Sequence, residues 1–125
     1  MPTPENKAFR ILVVDDEPVV CDCVRRMLSL DGHIVDVATG GTEALARFEV
    51  GKFDLVILDY EMPSMKGDEL ALLIKTLAPQ QPIVMVTAYP DTLADNLLTE
   101  VDLIMSKPFK AQELRDAAAK LFAKS

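Results

Sequence analysis

The stretch DLVILD, residues 54–59, sets four apolar residues between two aspartates. A run this short, with branched Val56 and Ile57 at its centre, fits a buried strand rather than a helix, which needs ten or more residues. No polar residue interrupts it, so the strand is expected to be covered on both faces, as in the middle of a parallel sheet. It then ends on a charge, Asp59. In an open α/β sheet the carboxyl ends of the strands form the edge where ligands bind.

The same punctuation recurs along the chain. RILVVD (10–15), PIVMVT (82–87) and DLIMS (102–106) are further strand candidates, and HIVDVA (33–38) alternates as a strand nearer an edge does. Between them lie helical patterns. Pro18 opens one with apolar positions Val20, Cys23, Val24, Met27 and Leu30, stopped by Gly32. TEALARFEV (42–50) is a short helix closed by Gly51, and Leu70, Leu73, Ile74 and Leu77 mark a third that Pro79 stops. Leu93, Ala94, Leu97 and Leu98 mark a weaker fourth, and Leu114, Ala117, Ala118 and Leu121 the last. The order is (βα)5, which predicts a doubly wound, five-stranded parallel sheet with helices on both faces.

Composition narrows the function. The 125 residues suit one domain: a tail over 1–9, then the domain over 10–125. Half the residues are apolar, yet no run approaches the ~20 needed to span a bilayer, so no membrane partner is expected. A formal charge of −7 without a Lys/Arg run argues against direct nucleic acid binding. Cys21 and Cys23 would stand about 200° apart on a helix, which suits neither a disulfide nor a metal site. They read as small apolar residues of a reducing, cytoplasmic protein. His33, the one histidine, reads as a solvated loop residue.

The polar residues fall at strand ends: Asp15 and Asp16 after the first, Asp59 after the third, Thr87 after the fourth and Lys107 after the fifth. For the strand order 2-1-3-4-5, the reversal lies between strands one and three, which carry the three aspartates. Crowded carboxylates repel, and hard oxygen ligands of this kind suit Mg²⁺. A cation, the Lys107 ammonium and the Thr87 hydroxyl together suit a phosphoryl group, with Asp59 as the nucleophile that forms an aspartyl phosphate. Singly, each residue has an ordinary explanation. Asp16 and Glu17 before Pro18 can cap a helix, and Lys107 can be a surface lysine. Their joint placement at successive strand ends has none.

These residues resemble the receiver domain of bacterial two-component response regulators. The pieces ILVVDDEP (11–18), DLVILDYEMPSMKGDEL (54–70), PIVMVTA (82–88) and KPF (107–109) follow in that family's order, and the likeness covers residues 10–124. The resemblance implies the flavodoxin-like receiver fold with order 2-1-3-4-5. It makes Asp59 the phosphoacceptor, and Asp15 and Asp16 the acid pair that, with Asp59 and the Glu61 backbone carbonyl, holds Mg²⁺, Mn²⁺ substituting. Thr87 becomes the switch hydroxyl and Lys107 the partner of the phosphoryl group, with a cis Lys107–Pro108 peptide. The implied donor is a phosphohistidine on a sensor histidine kinase or histidine phosphotransfer domain. The implied reporting surface, toward an unknown downstream partner, is the fourth helix, fifth strand and last helix. Such a chain is no turnover enzyme, but takes part in its own phosphorylation and autodephosphorylation.

Two departures from the family pattern stand out. Ile104 occupies the place three residues before the lysine where the family commonly carries Tyr or Phe, and EVDLIMSKPF (100–109) lacks the usual Gly-Ala before strand five. Tyr89 and Glu61 fall at positions that tune acyl-phosphate hydrolysis in the family. Two other readings compete: a receiver-like interaction module that does not switch, and an aspartate-based phosphohydrolase. The second usually carries another Asp two residues after the nucleophile, where this chain has Glu61.

Overall fold

Apolar strands bury backbone N–H and C=O groups that must find partners, and here five of them do so by pairing side by side. The structure is a computed structural model describing residues 8–90 and 101–122. Its strands are β1 (Arg10–Val14), β2 (Ile34–Ala38), β3 (Leu55–Asp59), β4 (Ile83–Thr87) and β5 (Leu103–Ser106). Its helices are α1 (Pro18–Leu30), α2 (Gly41–Arg47), α3 (Gly67–Leu77) and α4 (Ala111–Phe122). The sheet is wholly parallel, in the order β2-β1-β3-β4-β5. This is the expected flavodoxin-like topology; the helix expected around Leu93–Leu98 lies outside the described residues.

Alternate residues of each strand enter opposite cores. Leu12, Val14, Val56, Leu58, Ile83 and Met85 face α2 and α3. Ile11, Val13, Leu55, Ile57, Val84 and Val86 face α1 and α4. Every residue of β3 and β4 is buried, which accounts for their uninterrupted apolar sequences.

The helices turn differently from expectation in three places. The inward stripe of α1 is Cys21, Val24 and Leu28, while Cys23 is exposed and Leu30 stands in solvent. Cys21 is drawn over the sheet edge, where its Sγ donates to the carbonyls of Asp15 and Ala38. The stripe of α3 is Gly67, Leu70, Ala71 and Ile74, leaving Leu73 and Leu77 exposed. Helix α2 ends at Arg47 instead of reaching Val50, because Phe48 leaves the helix to stack on Phe53 in the core. His33 is also no solvated residue: it is half-buried, its Nδ1 accepts the Phe9 N–H at 3.1 Å, and burial lowers its pKa.

Gly67 sets how closely α3 approaches the site. A Cβ there would lie 2.7 Å from the Asp59 carbonyl oxygen and 2.8 Å from the Tyr60 Cα, both backbone atoms. Gly67→Ala is therefore expected to lower the unfolding free energy by about 2 kcal/mol, read as a lower urea midpoint at unchanged slope. An unchanged midpoint would show that the backbone after β3 yields without cost.

Candidate functional site

The parallel ladder runs one residue past the strands and so lines up the residues at their tips. The Asp15 N–H donates to the Ala38 carbonyl (3.1 Å), the Tyr60 N–H to Val86 (2.9 Å) and the Lys107 N–H to Thr87 (2.8 Å). Asp15, Asp59 and Thr87 are thereby fixed, buried, along one edge of the sheet. The edge lies at the carboxyl ends of β1, β3 and β4, beside the point where strand order reverses.

Lys107 reaches across from the end of β5, its Nζ 2.5 Å from Asp59 Oδ1 and 3.7 Å from Glu61 Oε1. The Lys107–Pro108 peptide bond is cis. Asp59 Oδ1 also accepts the Glu61 N–H at 3.3 Å. Burial pushes the Asp59 pKa up, and the Lys107 hydrogen bond and charge pull against it without cancelling it. For Lys107, burial works against the ammonium, but Asp59, Asp15 and Glu61 outweigh it and hold its pKa above the ordinary lysine value.

On the β1 side the carboxylates of Asp15, Asp16 and Glu17 lie with ligand oxygens within 4.8 Å of one another. Glu17, passed over above as a helix cap, makes no side-chain cap hydrogen bond to α1; its N–H instead donates to Asp15 Oδ1 at 2.9 Å. Burial, opposed by that bond but helped by the charge of Asp59, raises the Asp15 pKa from 3.8 to about 6. A buried Asp15 with half-buried Asp16 and exposed Glu17 beside it gathers hard oxygen donors of the kind a divalent cation takes. The three clustered acids include Glu17 rather than Asp59, whose Oδ1 is engaged by Lys107.

Glu61 contributes more than a backbone group. Its side chain folds over the end of β4, where Oε2 accepts the Thr87 hydroxyl at 2.6 Å and Oε1 the Ala88 N–H at 3.2 Å. A loop carboxylate two residues past Asp59 carries no periodic signal of this in the sequence. Tyr89 meets the site through its backbone, its N–H donating to Thr87 Oγ1 at 3.1 Å, while the residue is 67% exposed. Ile104, opposite Met85 on β4, packs on the core as an ordinary strand residue.

With this geometry in hand, the chain matches the response regulator receiver domain family over residues 11–119. The chain belongs to that family. The transcriptional regulatory protein TcrA of Mycobacterium tuberculosis is 35% identical over 108 residues, 84% of this chain and 42% of that protein. A response regulator receiver domain from Clostridium thermocellum superposes with a TM-score of 0.87 at 27% identity, covering 93% of this chain and 95% of that one. The response regulator TrrA of Thermotoga maritima, solved with Mg(2+)-BeF, gives 0.83 at 39% identity, covering 90% and 98%. This receiver domain is thus a module of two-component signalling rather than a conventional enzyme, and it spans less than half the length of TcrA.

One expectation is corrected by these relatives. TcrA is a transcriptional regulatory protein, and this chain covers 42% of it. The exclusion of nucleic acid therefore does not stand. A charge of −7 describes the surface of a single domain and does not decide the partner of a regulator that contains one. The expected reporting surface includes residues 91–100, which lie outside those described. No helix among the described residues is long and apolar enough to cross a membrane.

The raised Asp15 pKa has a consequence for stability. The folded state holds this proton more tightly than the unfolded chain, so Asp15 costs nothing below about pH 4 and destabilises the receiver domain as the pH rises through about 6. Without divalent cations, Asp15→Asn is expected to raise the unfolding free energy at pH 7 by about 1–3 kcal/mol, the gain fading toward pH 4. Denaturant titrations across that range check it; a gain independent of pH would place the effect elsewhere.

Proposed function

We propose that Asp59 accepts a phosphoryl group from a phosphohistidine, and that the receiver domain changes conformation when it does. The observation that carries this reading is the convergence, at one sheet edge, of a buried carboxylate, an ammonium on that carboxylate and a hydroxyl on the adjoining strand. Lys107 holds Asp59 as the anion that attacks. An Asp59 oxygen forms the new P–O bond as the P–N bond to the imidazole breaks, and the departing imidazole takes up a proton. Lys107 then follows the charge to the transferred oxygens, and the Thr87 hydroxyl is the donor available on the neighbouring strand.

Asp15 and Asp16, with Asp59 and the Glu61 carbonyl, would hold Mg²⁺, or Mn²⁺ in its place, and Glu17 adds a carboxylate beside them. The ion supplies positive charge against the phosphoryl oxygens. TrrA, 39% identical, was solved with Mg(2+)-BeF, and beryllium fluoride imitates a phosphoryl group. Hydrolysis of the acyl phosphate by water returns free Asp59. We assign that reversal to the domain itself, with no second protein needed for it.

The added dianion biases a pre-existing equilibrium toward the state in which Thr87 engages it. By likeness to TcrA, we place this switch in the control of transcription, in a cytoplasmic protein whose two cysteines are free. Ile104 favours a second reading, a receiver fold that binds a partner without switching, since no aromatic ring is present there to follow Thr87.

Incubation with acetyl phosphate and Mg²⁺ is expected to add one phosphoryl group by intact mass, with none added to Asp59→Asn. Equal labelling of Asp59→Asn would overturn the assignment. Lys107→Ala is expected to slow the transfer about a hundredfold with the fold retained. A partner whose affinity is the same for the phosphorylated and free domain would favour the second reading.

A further inference from the structure

The Glu61 side chain is placed where a phosphoryl group on Asp59 would find its donors. Its two oxygens take the Thr87 hydroxyl (2.6 Å) and the Ala88 N–H (3.2 Å), with Lys107 Nζ 3.7 Å from Oε1. These are a hydroxyl, a backbone amide and an ammonium converging on one anion, the donor set expected around a phosphoryl oxygen. The backbone fixes this arrangement: Glu61 follows Asp59 by two residues, and its N–H is tied back to Asp59 Oδ1 at 3.3 Å. The side chain is a third exposed, so it can swing out to water without disturbing either core.

We propose that the Glu61 carboxylate is a resident anion that holds Thr87, Ala88 and Lys107 in the unphosphorylated domain and must be displaced when Asp59 is phosphorylated. Glu61 thereby opposes occupancy of the site and retains Thr87 in its resting position. The proposal rests on Asp59 being the acceptor and adds to it a competitor for the acceptor's own donors. Loss of Glu61 frees those donors, and the apparent affinity for a phosphoryl group rises by the reciprocal of the fraction of time they were free.

The test is calorimetric titration of beryllofluoride into the full chain at saturating Mg²⁺, for wild type, Glu61→Ala and Glu61→Gln. Glu61→Ala is expected to bind about tenfold tighter. Glu61→Gln keeps an oxygen for Thr87 but no charge for Lys107, and is expected to gain less. The gain of Glu61→Ala is expected to persist at about 0.5 M salt, where a field effect acting through water fades. In the ligand-free protein, the Ala88 amide resonance is expected to shift in Glu61→Ala as its hydrogen bond is lost. Binding no tighter than wild type, an equal gain in both variants, or a gain abolished by salt would each overturn the proposal while leaving Asp59 as acceptor. No binding by any of the three proteins would overturn the acceptor reading itself, and this proposal with it.

Discussion

One constraint governs the rest: two carboxylates, Asp15 and Asp59, are buried on neighbouring strands, with a single ammonium placed on one of them. Taking a carboxylate out of water is costly, and the cost falls only when positive charge or hydrogen-bond donors stand close by. Lys107 answers for Asp59, and the Glu17 N–H answers in part for Asp15. What remains is an excess of negative charge, with Asp16 and Glu17 adding to it. The edge is therefore suited to a divalent cation, whose charge would in turn offset that of the proposed phosphoryl group.

The fold serves this by geometry rather than by added interactions. In a parallel sheet every strand ends on the same edge, so one register carries the acids, the hydroxyl and the lysine to a common line. The two apolar cores keep that line rigid, and Gly67 allows α3 to close against the backbone immediately after Asp59. Movement is left to side chains on loops. Glu61 and Lys107 are each partly exposed, whereas Thr87 is fully buried and can change partners only when the group facing it changes.

The strands were legible in the sequence because β3 and β4, buried along their whole length, tolerate no polar residue until their tips. The polar tips were legible for the same reason. Helix faces were read less well. In α3, Leu70, Leu72, Leu73 and Leu77 surround the axis, so leucine spacing picks no single stripe; the close approach at Gly67 selects Ala71 instead. In α1, Cys21 and Cys23 are equivalent by composition, and only the carbonyls of Asp15 and Ala38 distinguish them. Glu61 was marked as a tuning position by resemblance alone; its partners Thr87 and Ala88 lie on a strand end distant in sequence and could not be read from spacing, and Glu17, taken for a helix cap, instead lies beside Asp15 and Asp16.

The proposed product at the tip of β3 is a mixed anhydride of the Asp59 carboxylate with phosphate. Borohydride reduces such an acyl phosphate to an alcohol, converting the modified aspartate to homoserine while leaving free carboxylates intact. Peptide mapping after phosphorylation and reduction should place homoserine at position 59 alone. Homoserine at position 15 or 16, or a phosphoryl group retained on a side chain that borohydride leaves untouched, would remove Asp59 as the acceptor.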